Sequence, residues 1–186
     1  RIPCVTQAMN LSLFQPPSDV IWGESVANTG ECVAPLIWFD TKVWDRAKMY
    51  KTWKIGFLTQ DIAYCKGALP QMYKYCDDNG IDMVGTEITP PTQLDFATNI
   101  KRLVDAGASV IFVSQCGAAA GIVLKQMSEL GILASLEDAI KTKGKIVPIL
   151  NDCGFYIASM QAAPDAAKYA YGGTPWGGTF EEDKYS

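Results

Sequence analysis

Histidine is absent from this chain of 186 residues. The chain therefore lacks the side chain that most often acts as a general base at neutral pH and most often ligates metals. Six cysteines are present, but no two have the C-x-x-C spacing of a zinc ribbon or a thioredoxin-like centre. Gly117 and Gly121 lack the G-x-G-x-x-G spacing of a nucleotide loop. We therefore expect a protein that is not an enzyme, with no cofactor and no bound metal.

Two further absences concern large partners. No apolar run approaches the roughly 20 residues that a membrane-spanning helix needs, so we expect no direct membrane insertion. Lysine and arginine are scattered and the formal net charge is -4, which offers no basic surface to nucleic acid. The first six residues contain no methionine and no signal-peptide pattern, and we expect further sequence to precede them.

The composition that is present is typical of a globular protein with a substantial core. Hydrophobic residues make up 48% of the chain and charged residues 19%. Six cysteines in a chain of this length favour an oxidising compartment in which some of them are paired. Buried free thiols are the alternative.

Between residues 54 and 131, short β-type runs alternate with longer helical ones, which is typical of βαβ units. The predicted strands are 54–59, 81–88 and 109–113, and apolar residues at helical spacing follow each of them. Gly80 and Gly107 predict the ends of the first two helices. Thr92 predicts the N-cap of the second helix, since Asp95 follows three residues later. The pattern predicts an α/β fold with a parallel sheet.

The flanking regions carry weaker patterns. They predict a helix at 136–143, a strand at 145–150 and a broken helical segment at 155–171. Pro148 indicates an edge or terminal position for that strand. Nearer the start, the patterns predict a strand at 2–6 and an amphipathic helix from about residue 31 to residue 50.

Several short segments occur in a familiar order: IPCVT (2–6), KIGFLTQD (54–61), AYCKG (63–67), LDF (94–96), AGASVIF (106–112) and LKQMSELGI (124–132). Together they resemble the leucine/isoleucine/valine-binding family of type I periplasmic binding proteins, which serve ABC transporters. Cys65 departs from the family pattern, which has a glycine there. The resemblance implies a type I periplasmic-binding-protein fold, with helices on both faces of a parallel sheet.

The resemblance also implies a division of the chain. Residues 1–52 would end the N-terminal lobe and cross over, residues 53–174 would form the C-terminal lobe, and residues 175–186 would be a second crossover or a loose tail. On this comparison the chain is a central fragment of a two-lobed protein.

The implied function is that of a solute-binding protein in the periplasm or outside the cell. Such a protein captures a small amino-acid-like or amide ligand between its lobes and delivers it to a membrane permease. The alternative is an accessory or structural subunit of a larger membrane or extracellular assembly, which keeps the fold without transport. Met9 favours this alternative, because the family usually has a threonine hydroxyl in that segment.

Ligands of open parallel sheets lie beyond the carboxyl ends of the strands. The candidate ligand-binding residues that follow predicted strands are Ala8, Met9, Tyr64, Ser114, Gln115, Cys116 and Asp152. By resemblance, Tyr64 would cover the ligand and Asp152 would hold its ammonium group. The alternatives are that Tyr64 packs at a helix start, that Asp152 caps a helix and that Ser114 to Cys116 only form a turn.

Cys116 and Cys153 are candidates for a disulfide. Each follows a predicted strand, and neighbouring parallel strands lie about 4.8 Å apart. A disulfide needs Cα atoms roughly 4.4 to 6.8 Å apart, so the two cysteines can pair if their strands are neighbours. Cys4 and Cys32 are competing partners.

Overall fold

The structure is a computed structural model that describes residues 4–6, 21–23, 28–44 and 53–173. The strands are β1 (Cys4–Thr6), β2 (Ile21–Gly23), β3 (Lys54–Gln60), β4 (Asp82–Thr89), β5 (Val110–Ser114), β6 (Val147–Leu150) and β7 (Tyr171–Gly172). The α-helices are α1 (Asn28–Trp38), α2 (Ala63–Gly67), α3 (Leu69–Asp78), α4 (Ala97–Asp105), α5 (Ala118–Glu129), α6 (Leu136–Lys141), α7 (Ile157–Ala162) and α8 (Pro164–Ala167). A π-helical turn, Phe39–Trp44, follows α1, and a 3-10 turn, Asp152–Gly154, follows β6.

Five strands form one parallel sheet in the order β4-β3-β5-β6-β7. The chain adds β4 to one side of β3 and then adds β5 to the other side. β1 and β2 form a separate parallel pair. The predicted α/β fold with a parallel sheet is confirmed.

Alternate residues of each strand point to opposite faces, and helices cover both faces. On β3, Ile55 and Phe57 join a core that α1, α3 and α6 complete, whereas Leu58 joins a second core under α4, α5 and α8. Gly56 lies on the second face, where an added Cβ would come 3.0 Å from Leu103 of α4. The central strands β3, β5 and β6 are therefore buried on both faces, as parallel strands between helices must be.

Gly80 and Gly107, the two glycines predicted to end helices, follow α3 and α4, and their backbone conformation explains why. Their φ angles are +62° and +99°, a region that favours glycine. After α3, the Gly80 N–H donates to Asp77 O, and the next N–H, from Ile81, donates to Cys76 O. This pattern satisfies the last carbonyls of a helix and turns the chain into the following strand.

The start of α4 differs from the prediction. The helix begins at Ala97, so Thr92 is not its N-cap. Asp95 Oδ1 instead accepts from the Ala97 N–H at 3.0 Å, and the Phe96 N–H donates to the Gln126 side chain of α5 at 2.7 Å. A partner from another helix, which the local sequence does not reveal, thus fixes the start of α4.

The end of the sheet also differs from the prediction. Pro148 lies in β6, which is an internal strand between β5 and β7. β7 pairs only with Ile149 and Leu150. The pairing of β6 with β7 therefore does not require the backbone N–H that Pro148 lacks. A two-residue strand such as β7 has no sequence pattern of its own.

The N-terminal helix is shorter than predicted, because α1 ends at Trp38 and the π-helical turn follows. Leu36 of α1 and Phe39 of the turn are fully buried in the same core as β3. The division into 1–52, 53–174 and 175–186 remains a prediction, although this core includes residues from both sides of the first boundary. Residues 174–186 lie outside the described part.

Asp40 anchors the π-helical turn to the rest of the core. It is 6% exposed, and its carboxylate accepts from Trp53 Nε1 at 3.0 Å and from the Tyr75 hydroxyl at 2.8 Å. Trp53 precedes β3 and Tyr75 belongs to α3, so one side chain joins three elements. Both donors depend on this carboxylate for these bonds.

We expect Asp40→Ala to lower the free energy of unfolding by about 2 to 4 kcal/mol, because it leaves the buried Trp53 donor and the partly buried Tyr75 hydroxyl without this acceptor. Urea denaturation followed by tryptophan fluorescence measures the loss. Asp78→Ala is the matched control, since Asp78 is exposed and pairs with Lys74 one turn away, an interaction worth less than about 0.5 kcal/mol. Equal losses in the two variants would contradict the anchoring role of Asp40.

Candidate functional site

The order of strands reverses between β3 and β5, and this is where the candidate site lies. The chain leaves β3 towards β4 on one side and later enters β5 on the other. The helices that follow β3 and β5, α3 and α5, pack on opposite faces of the sheet. The carboxyl edge between two such strands is the usual position of a ligand crevice in an open α/β sheet. Tyr64 of α2 and Cys116 after β5 lie at this edge.

Tyr64 connects two acidic side chains at the edge. Its hydroxyl lies 2.5 Å from Glu31 Oε2 and 2.5 Å from Asp152 Oδ1. Both acids are buried, with Glu31 9% exposed and Asp152 5% exposed. They come from α1 and from the 3-10 turn after β6, and both are distant from Tyr64 in sequence.

These three groups, the Tyr64 hydroxyl and the Glu31 and Asp152 carboxylates, are called the acidic pocket below. A phenol has one proton, so the Tyr64 hydroxyl donates to only one carboxylate at a time. Burial, followed by the hydrogen bonds to Asp152 and Glu31, raises the pKa of Tyr64 far above its usual value. The hydroxyl therefore stays protonated at neutral pH and remains a donor.

Four cysteines surround this pocket. Cys65 Sγ lies 3.7 Å from Cys116 Sγ, and the thiols of Cys116 and Cys153 are close enough to influence each other's pKa. Cys32 of α1 is fully buried and bonds to the Ser114 side chain. All four are free thiols here, so the Cys116–Cys153 disulfide remains a prediction, although β5 and β6 are neighbours.

The surroundings raise the pKa values of Cys32, Cys116 and Cys153. The interaction with Cys153 lowers the pKa of Cys116, but the contact with Cys65, burial and the charge of Asp152 outweigh it and raise that pKa to about 12. The interaction with Cys116, and then burial, raises the pKa of Cys153. Burial is the main cause that raises the pKa of Cys32.

Ser114 and Gln115 lie behind the pocket. Gln115 is fully buried, and its amide nitrogen donates to the Thr89 hydroxyl at 3.0 Å, which ties the end of β5 to the end of β4. Ser114 is 1% exposed and accepts from the Asn151 amide at 3.4 Å. These bonds hold the strand ends together, and ligand contact by either residue remains a prediction.

The predicted site residues therefore fall into three groups. Tyr64, Cys116 and Asp152 come together at the edge, Ser114 and Gln115 support it from within, and Ala8 and Met9 lie outside the described residues. Sequence reasoning missed Glu31 and Cys32, because α1 was assigned to the preceding lobe. The only sequence signal for these two site residues was that an acid, Glu31, stands beside a cysteine, Cys32, on a predicted amphipathic helix.

The described residues contain neither a candidate metal site nor a membrane-spanning helix. No group of three or more cysteine, aspartate or glutamate side chains is arranged to hold a metal ion there. No helix in those ranges combines the length and the apolar character needed to cross a membrane.

Comparisons with known proteins agree on the fold. Residues 38–179, which are more than half of the chain, match the sequence profile of a family described as periplasmic binding protein. No curated protein matches the chain.

Three solved structures illustrate the likeness. A branched-chain amino acid ABC transporter protein from Thermus thermophilus with bound valine has a TM-score of 0.71 and 19% identity over 89% of this chain and 39% of its own. An ABC transporter substrate-binding protein from Sphaerobacter thermophilus has a TM-score of 0.67 and 18% identity over 89% and 42%. A solute-binding protein from R. palustris in complex with 4-hydroxybenzoate has a TM-score of 0.64 and 18% identity over 89% and 40%. The chain thus spans about two fifths of the length of these relatives, and such identities show the fold alone.

Removing the Tyr64 hydroxyl tests the acidic pocket. We expect Tyr64→Phe to lower the free energy of unfolding by about 1.5 to 3 kcal/mol at pH 7, because hydrogen bonds to charged groups are the stronger ones. Tyr73→Phe is the matched control, since it removes a 2.6 Å bond to the neutral Thr86 hydroxyl and should cost about 0.5 to 1.5 kcal/mol. Chemical denaturation compares the two. A smaller loss for Tyr64→Phe than for Tyr73→Phe would show that the carboxylates do not depend on the hydroxyl.

Proposed function

The chain belongs to the periplasmic binding protein family, and we propose that it forms part of a solute-binding protein whose ligand carries an ammonium group. The protein captures this small amino-acid-like ligand at the carboxyl edge of the sheet, against a second lobe, in the periplasm or outside the cell. It then delivers the ligand to the permease of an ABC transporter. The chain itself carries out no chemical reaction on the ligand.

The observation that carries this proposal is the pair of buried acids around Tyr64. Two carboxylate oxygens lie 2.5 Å from one hydroxyl, which has a single proton to share between them. An ammonium group offers three donors and a positive charge, and hydrogen bonds between such a group and carboxylates are the strong, short ones. The face of the Tyr64 ring adds a favourable surface for a cation.

The charges of Glu31 and Asp152 also favour some ligand classes over others. The relatives have valine in one case and 4-hydroxybenzoate in another. An aromatic acid without an ammonium group would bring a third carboxylate towards Glu31 and Asp152, and like charges disfavour each other at short range. An amide ligand can donate N–H groups but brings no charge, so we place it second. The proposal therefore favours amino acids and related amines.

The ligand class can be tested by thermal shift on the purified full-length protein. Leucine is compared with isopentylamine, which lacks the carboxylate, and with 4-methylpentanoate, which lacks the ammonium group; a small aliphatic amide and 4-hydroxybenzoate complete the set. At about 100 times its dissociation constant, a ligand stabilises the folded state by about 2.7 kcal/mol. We expect stabilisation by leucine or the amine and none by the two acids.

The other outcomes are decisive as well. Stabilisation by the acids alone would overturn the ammonium proposal. No stabilisation by any compound in the set, or by the remaining amino acids, would favour the accessory-subunit alternative.

Asp152→Asn tests the acid that follows β6. The substitution keeps the shape of the side chain and removes its charge, so it should weaken binding of the amine ligand by about 30-fold or more, corresponding to about 2 kcal/mol. Isothermal titration calorimetry measures the affinity. Asp78→Asn, on the exposed side of α3, makes the same chemical change away from the pocket and should leave the affinity within about twofold. Unchanged affinity in Asp152→Asn would exclude Asp152 as the ammonium partner.

A further inference from the structure

Three thiols converge at the carboxyl edge from three separate segments. Cys65 belongs to α2, Cys116 follows β5, and Cys153 lies in the 3-10 turn after β6. Their convergence follows from the sheet order, because β3, β5 and β6 are consecutive neighbours and these residues follow their ends. Nothing in the ligand-binding proposal uses these thiols.

Cys116 is the middle member of the group. Its sulfur lies 3.7 Å from Cys65 Sγ, and the thiol of Cys153 is close enough to interact with it electrostatically. Cys65 is fully buried, whereas Cys116 and Cys153 are partly exposed. A small reagent from solvent can therefore reach Cys116, and either neighbour can then reach its sulfur.

Bond formation needs only a small movement. A disulfide bond is about 2.05 Å long, so Cys65 and Cys116 must approach by less than about 2 Å. Rotation of the two side chains about their Cα–Cβ bonds supplies movements of this size without displacement of the strands. The described cysteine and acid side chains form no group that could hold a metal ion, so metal binding does not compete with this chemistry.

We infer that Cys65, Cys116 and Cys153 form a thiol–disulfide exchange site, in which Cys116 is the shared partner of two alternative disulfides. The reactant is a small-molecule disulfide, such as oxidised glutathione. The proposal goes beyond ligand capture and does not depend on the identity of the ligand.

The exchange occurs in two balanced steps. Cys116 first gives up its proton, which its raised pKa makes infrequent at neutral pH. The Cys116 thiolate then attacks one sulfur of the small disulfide, which forms a mixed disulfide and releases a small thiolate that takes up the proton. The thiol of Cys65 or Cys153 then loses its proton and attacks the Cys116 sulfur, which forms the protein disulfide and releases a second small thiolate that takes up this second proton. The protein loses two thiols, and the small disulfide is reduced to two thiols.

The two possible products constrain different parts of the edge. A Cys65–Cys116 disulfide joins α2 to the segment after β5 and leaves Cys153 free beside Tyr64. A Cys116–Cys153 disulfide joins the segments after β5 and β6, and it removes the thiol that bonds to Tyr64. The choice between them therefore changes the surroundings of the Tyr64 hydroxyl.

The test uses the reduced full-length protein treated with oxidised glutathione, followed by alkylation and mass spectrometry of a non-reduced digest. In the wild type we expect loss of two thiols per chain, with Cys116 bonded to Cys65, to Cys153 or to both in separate molecules. This measurement needs no variant, so a folding defect cannot obscure it. Cys116 recovered as an alkylated thiol, or bonded to Cys4 or Cys32, would overturn the proposal.

Single substitutions then test whether Cys116 is the common partner of both disulfides. Cys65→Ser should leave only the Cys116–Cys153 bond, Cys153→Ser should leave only the Cys65–Cys116 bond, and Cys116→Ser should abolish both. Cys76→Ser is the matched control, because Cys76 is a buried cysteine of α3 and should leave both bonds intact. A bond between Cys65 and Cys153 in Cys116→Ser, formed at the wild-type rate, would show that Cys116 is not the shared partner.

Discussion

The pairing of β3 with a neighbour on each side is the constraint on which the rest of the structure depends. The strand runs parallel to both β4 and β5, and all of its residues except Lys54 are buried. Because the chain adds one neighbour on each side in turn, the following segments separate at one edge of the sheet. Helices on both faces cover the apolar residues, and the polar and thiol side chains remain at that edge.

The acids and thiols at the edge form one electrostatic unit. The charge of Asp152 contributes to the raised pKa values of Tyr64, Cys32, Cys116 and Cys153. A cation bound near Asp152 would oppose this effect and lower those pKa values, because an opposite charge favours the ionised form. Since the thiolate is the reactive form of cysteine, ligand capture and thiol exchange would be linked through the same carboxylate.

The sequence was sufficient for features that depend on local patterns. Alternating strand and helix patterns predicted the parallel sheet, and glycines such as Gly80 predicted helix ends. It was insufficient where a distant residue decides the outcome. Gln126 of α5 helps to fix the start of α4. Glu31 reaches Tyr64 from a position 33 residues away, so the second acid of the pocket could not be predicted from the residues around strand ends.

The position of β3 between β4 and β5 also imposes an order on folding. Pairing β3 with β5 joins Lys54 to Ser109, which are 55 residues apart, whereas β4 lies nearer to β3 along the chain. Closing a longer loop costs more chain entropy, and proteins with many non-local contacts fold slowly. The β3–β4 pair is therefore the natural first half of the sheet. Until β5 and β6 join it, the elements that carry Tyr64, Cys116 and Asp152 have not been brought together, so the acidic pocket and its thiols would be among the last features to form during folding.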